Sequence, residues 1–135
     1  MSGAHPLVRL ETLALVAVGG FAGSNLRYFL DGLLPGPRAT LLANAAGSLV
    51  LGLVLYETRY AGLLDDRARL VFATGFLASL TTYSTFAVET VRADPGWALA
   101  NVLATHTLGV VGVLAGRALA ARIEGEPGRT RGDDG

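Results

Sequence analysis

The sequence predicts an all-α integral membrane protein of four transmembrane helices, the third of them broken. Three observations lead there. Hydrophobic residues make up 51% of the 135 and charged ones only 16%, against about 25% charged in ordinary soluble domains. The apolar residues fall into four stretches long enough to cross a hydrocarbon layer of ~30 Å, which takes about 20 helical residues. Within the third stretch, the segment GFLASLTTYSTFAVE (residues 75–89) places Ser79, Thr81, Thr82, Tyr83, Ser84 and Thr85, six hydroxyls in seven positions, inside an apolar run.

Composition also excludes functions. With no cysteine and only two histidines, His5 and His106, the chain offers no disulfide framework, no thiolate site and no metal cluster. A formal net charge of zero gives no overall pull toward nucleic acid. No nucleophile and base stand together in the sequence, so enzyme chemistry is not expected. A soluble bundle would need charged faces repeating at helical spacing, and these stretches lack them.

The first span covers residues 13–33. It runs on through Arg27 and Asp31 instead of ending at a small-residue cleavage site, so it reads as a mature helix and not as a secretory signal. The motif GGFAGSNLRYFLD sets Arg27 eight residues past Gly19, about two turns along one face, with Asn25 nearby. An intramembrane charge is a functional hypothesis by default; Arg27 reads as an anion-attracting group, a buried pin or a side chain snorkelling to the interface. PGPR at 35–38 ends the span.

The second span covers 40–60. In LLANAAGSLVLG, Asn44 and Ser48 are four apart, hence on one helix face, suited to interhelical bonding or to lining a pore. DDRAR at 65–69 separates it from the third span, 70–91. One or two hydroxyls there would bond back to their own helix, but six imply unwound backbone, with the opening expected at Ala78 to Thr81. Such backbone is tolerated at membrane depth only where protein buries it or a watery cavity meets it. Freed carbonyls suit a cation; freed amides and hydroxyls suit an anion. Tyr83 and Phe86 follow on one face, with Glu89 three residues further.

DPGW at 94–97 opens the fourth span, 97–119, where Asn101 and Thr105 repeat the four-residue spacing. His106 beside them lacks an acidic neighbour and reads as a hydrogen-bonded packing residue. Gly19 to Gly23 and Gly112 to Gly116 have the spacing that lets helix backbones approach closely. The short breaks make consecutive helices antiparallel neighbours. Residues 1–123 form one membrane unit, and 124–135 read as a disordered tail. Four spans place Arg9, Arg59, Arg67, Arg69, Arg117, Arg122, Arg129 and Arg131 on one side and only Arg38 and Arg92 on the other. Eight against two predicts both termini in the cytoplasm of a plasma-membrane protein.

The motifs GGFAGSNLRY, ANAAGS and GFLASLTTYSTFAVE, with the spacing between them, resemble the fluoride channel family, Fluc or CrcB, over nearly the whole chain to about Arg122. The resemblance implies a passive fluoride channel that lowers cytoplasmic fluoride and protects against its toxicity. It implies an inverted, antiparallel dimer with two pores and a structural sodium ion at the dimer interface. By position, the backbone carbonyls of Ala78 and Thr81 would hold the sodium. Tyr83 and Phe86 would form the aromatic box of the fluoride path, and Asn44 would donate to the anion. Arg27, Thr82, Ser84 and Thr105 would lie along that path, with Asn101 on the polar track of the fourth span. Two positions depart from the family pattern: Ala78 and Ser79 stand where it has paired glycines, and Tyr83 where it usually has phenylalanine. Alanine adopts positive φ poorly, so Ala78 is where the backbone is expected to differ.

An inverted homodimer requires a chain that inserts both ways, and a charge bias of eight to two opposes that. The second subunit is therefore expected to be an oppositely biased paralogue, or else a second copy of the chain. A different class of function, a small four-span proton-coupled exporter of toxic cations, would need a central membrane carboxylate. Glu11 lies at the edge of the first span and Glu89 near the end of the third, and no acid is central. A non-transporting scaffold would leave the hydroxyl cluster without a purpose.

Overall fold

A computed structural model describes residues 6–34, 36–57, 60, 62 and 64–124. Helix α1 is Pro6–Leu33 and α2 is Pro37–Tyr56. Helix α3 begins as Asp66–Leu70, widens into π-helical turns over Val71–Leu77 and closes with Ala78–Leu80. Helix α4 is Tyr83–Arg92 and α5 is Pro95–Glu124. Four segments, Pro6–Leu33, Pro37–Tyr56, Asp66–Arg92 and Pro95–Ile123, are long and apolar enough to span a membrane. The third of these comprises α3 and α4 and is broken between them. The fourth continues helically to Glu124, and the remainder of the expected tail lies outside the described residues.

Local chemistry sets the helix starts. Gly36, at φ 65°, turns the chain into Pro37, whose missing N–H costs nothing at the first helical position. Asp65 caps α3 by accepting from the Ala68 amide at 2.6 Å. Asp94 caps α5 by accepting from the Gly96 and Trp97 amides, each at 3.1 Å. The loop side of α1 is tied to α3 by an ion pair between Glu11 and Arg67 at 2.8 Å.

The close seams join alternate spans. Consecutive helices are antiparallel, as their short connections require, but α1 packs chiefly on α3 and α2 on α5, pairs that run in the same direction. Glycine makes both seams. A Cβ on Gly19 would lie 2.7 Å from the Val71 carbonyl oxygen, and one on Gly75 2.6 Å from that of Val16. Across the other seam, a Cβ on Gly112 would lie 3.0 Å from the Ala45 carbonyl, and those on Gly116 and Gly52 would run into the carbonyls of Leu49 and Val113. Such approach replaces hydrophobic driving force, which is absent between helices in lipid. Accordingly the buried core is small, with Ala39, Ala43, Val54, Leu77, Leu80 and Phe86, while Leu7, Val18, Phe21, Val110 and Leu114 point outward.

Candidate functional site

The break is two residues long. Thr81 (φ −79°, ψ 156°) and Thr82 (φ −150°, ψ 130°) are extended, whereas Ala78 (φ −64°, ψ −28°) is helical. The opening expected at Ala78 to Thr81 is therefore displaced to Thr81 and Thr82. No described non-glycine residue has positive φ, so alanine is unstrained where the family pattern has glycine. The chain leaves the helix by extended backbone, which β-branched threonine favours.

Asn44 holds that opening. Its Nδ2 donates to the Thr82 carbonyl at 3.0 Å, and its Oδ1 accepts from the Thr82 amide at 2.8 Å. A side-chain amide thus satisfies both polar groups of one unwound residue, as burial demands. In a continuous helix the Thr82 amide would close on the Ala78 carbonyl; here it is diverted to Asn44. Likewise the Thr85 amide, the helical partner of the Thr81 carbonyl, donates to Thr82 Oγ1 at 3.2 Å, capping α4. The carbonyls of Ala78 and Thr81 both lose their helical donors by these diversions. Below the break Asn44, Ser48, Ala78 and Thr81 line a crevice of about 340 Å³.

The hydroxyls are linked. Thr82 Oγ1 donates to Thr85 Oγ1 at 3.2 Å and lies 3.3 Å from Ser84 Oγ. Arg27 reaches across from α1, its guanidinium Nη2 donating to Thr85 Oγ1, with its Nε 3.9 Å from the Asp31 carboxylate. Tyr83 and Phe86 lie with ring centroids 5.8 Å apart; Tyr83 is 78% exposed and Phe86 6%. Phe86 also meets His106 of α5 edge to face at 6.0 Å.

Toward the end of the molecule formed by the α1–α2 and α4–α5 turns, a vestibule of about 870 Å³ opens. Arg38, Glu89, Arg92, Asp94, Trp97 and Asn101 are among its walls. Asn101 Nδ2 donates to Thr90 Oγ1 at 2.8 Å, and that hydroxyl donates to the Phe86 carbonyl at 2.7 Å. One turn deeper on the same face of α5, Thr105 Oγ1 is buried without a partner among the described residues. Thr40, 3% exposed, donates to Glu89 Oε1 at 2.9 Å, while Glu89 Oε2 is buried without a partner. Neither this pair nor the contact of His106 with Phe86 is legible in the sequence, since each joins residues on different helices. The signal for Thr40 is the spacing of Thr40, Asn44 and Ser48, which puts three polar groups on one face of α2.

No group of three or more described His, Asp or Glu side chains is placed to hold a metal. A cation at the break would be held by backbone and hydroxyl oxygens, donors that suit a hard ion.

Fold and site together define a small multi-pass membrane protein, with a span interrupted at membrane depth and polar groups arrayed from the interruption to a vestibule. Residues 14–117 match the family model described as CrcB-like protein, Camphor Resistance (CrcB), and the chain belongs to that family. It is 54% identical to the fluoride-specific ion channel FluC 1 of Haloarcula marismortui over 117 residues, 87% of this chain and 91% of that one. It is 50% identical to FluC 2 of Halobacterium salinarum, over 86% of this chain and 91% of that one. A third relative, FluC 1 of Natronomonas pharaonis, is 48% identical over 79% of this chain and 92% of that one.

Proposed function

We propose that the chain is a subunit of a passive, fluoride-selective channel that lowers cytoplasmic fluoride. One observation carries the reading: the two-point bond of Asn44 to Thr82, which keeps a span open in the middle of an apolar run. Around it stand the groups a small, strongly hydrated anion needs in place of water. They are the spare N–H of Asn44, the hydroxyls of Ser84 and Thr105, that of Thr82 if it turns from Thr85, the Arg27 guanidinium, and the ring edges of Tyr83 and Phe86, which carry the positive part of the aromatic quadrupole. Weak successive donors also let the ion leave. Kinship with proteins named fluoride-specific ion channels supports the same reading.

The exposed ring of Tyr83 and the open crevice at the break fit a second subunit, oppositely oriented, that completes the path. A structural sodium ion at that interface fits the carbonyls of Ala78 and Thr81, the two oxygens whose helical donors are diverted. Bound there, it would offset the partial negative charge of carbonyls left open inside the membrane. The arginine bias, eight against two, supports cytoplasmic termini and a separately encoded partner of opposite bias. Tags at both ends read in a topology assay test this: the chain expressed alone in equal amounts both ways up would leave a homodimer instead.

Nothing at the site favours a proton-coupled cation exporter. Glu11 is paired with Arg67, and Glu89 is bonded by Thr40 at the vestibule; neither is a central, exchangeable carboxylate. Efflux from liposomes, with and without a paralogue, tests the channel. Fluoride should outrun chloride, and equal rates in every combination would overturn the proposal.

A further inference from the structure

Resting on that channel reading, we infer that Arg38 and Arg92 are a capture site for fluoride at the mouth of the vestibule, and that their charge offsets the Glu89 carboxylate on the way in. Both arginines and Glu89 line the cavity of about 870 Å³. Apart from Arg27 inside the first span, Arg38 and Arg92 are the two arginines that the sequence places on this side of the membrane. Positive residues there oppose the orientation that the other eight favour, so their meeting in one cavity calls for a local use.

One hydrogen bond puts them there. Thr40 Oγ1 donates to Glu89 Oε1 at 2.9 Å, which joins the start of α2 to the end of α4. The two helices run in opposite directions, so going outward from this bond leads back along α2 to Arg38 and forward along α4 to Arg92. At ~1.5 Å of rise per helical residue, the two positions stand about 3 Å and about 4.5 Å farther out. An anion arriving from solution passes them before it reaches the carboxylate.

Their charge is available. Neither Arg38 nor Arg92 has an ion pair or a hydrogen bond among the described residues. Asp94, the other acid in the wall, accepts from the Gly96 and Trp97 amides, each at 3.1 Å, where its charge answers the positive end of α5. Glu89 is the group left over: its Oε2 is buried without a partner, and a lone carboxylate beside an anion path repels the ion it should admit. Two free guanidinium groups outside it reverse that field. A cleft presenting one sign of free charge concentrates its counter-ion and raises entry rates about tenfold or more at low salt.

The chain has no cysteine, so a channel carrying Arg38→Cys or Arg92→Cys can be given either charge after it has folded. The test uses the combination of subunits that conducts, with any paralogue freed of cysteine, and labelling is verified by mass. A methanethiosulfonate bearing a trimethylammonium group should give several-fold faster fluoride efflux from liposomes than one bearing a sulfonate when the ionic strength is ~10 mM and charges act over ~30 Å. The difference should vanish near ~1 M, where they act over ~3 Å. Equal flux under both labels, or a difference that high salt leaves intact, overturns the inference while the channel stands. Fluoride no faster than chloride under every label overturns both. A channel carrying Arg38→Gln and Arg92→Gln together should conduct several-fold more slowly at low salt. Adding Glu89→Gln, which keeps an acceptor for Thr40, should restore part of the flux, and no recovery overturns the role given to the carboxylate.

Discussion

Asn44 makes a prediction that its position in an apolar run does not by itself suggest. Because both ends of its amide are bonded to Thr82, Asn44→Leu leaves a half-buried N–H and C=O without partners, at up to about 1–3 kcal/mol each. The variant should lose melting temperature in detergent as well as fluoride flux. Unchanged melting with lost flux would show that the amide serves the anion and not the break. Thr40→Val keeps the volume but strips Glu89 Oε1 of its donor, leaving both oxygens of a buried carboxylate without partners. That should cost about 1–3 kcal/mol, read by thermal melting, and Thr40→Ser should recover most of it. Asn44 stood out in the sequence because an amide amid alanine and leucine needs a partner. Glu89 and Thr40 are 49 residues apart, and no local pattern gives the register that joins them. The contact of His106 with Phe86 depends on the same kind of register, between α4 and α5.

At the level of helices, hydropathy and turn chemistry mark the four spans because transfer energy accumulates over twenty residues and tolerates local detail. Which helices press together depends instead on where each glycine faces. Gly116 and Gly109 separate the two effects on one helix. A Cβ at Gly116 would strike the Leu49 carbonyl, while one at Gly109 would meet only Ser48 Oγ at 3.7 Å. Gly116→Ala should therefore destabilise the α2–α5 seam by about 1–3 kcal/mol and broaden the size-exclusion peak, and Gly109→Ala should leave both unchanged. The π-helical turns at Val71–Leu77 were invisible in the sequence, because a nearly uniform apolar run of seven residues has no phase from which to tell a wider turn from an ordinary one. The opening of α3 was visible as a crowd of hydroxyls. It falls at Thr81 and Thr82 and not at Ala78, because a hydroxyl count does not say which amide a distant asparagine will take.

For the molecule as a whole, the proposed sodium site links assembly to the ionic medium. Exchanging sodium for a bulky organic cation throughout purification should convert dimers to monomers by native mass spectrometry, and dimers that persist would separate assembly from the ion. The pairing of first span with third, and second with fourth, bears on how the chain is made. As the ribosome releases it, α1 reaches the bilayer with its glycine seam bare and Arg27 lacking Thr85, a charge that costs ~2.5–3.5 kcal/mol in lipid. Nothing in α2 supplies that seam. The first two spans must wait, side by side but unmatched, until α3 and then α5 emerge, so a chain cut after its second span should be handled by quality control as an unassembled protein and not as half of a working one.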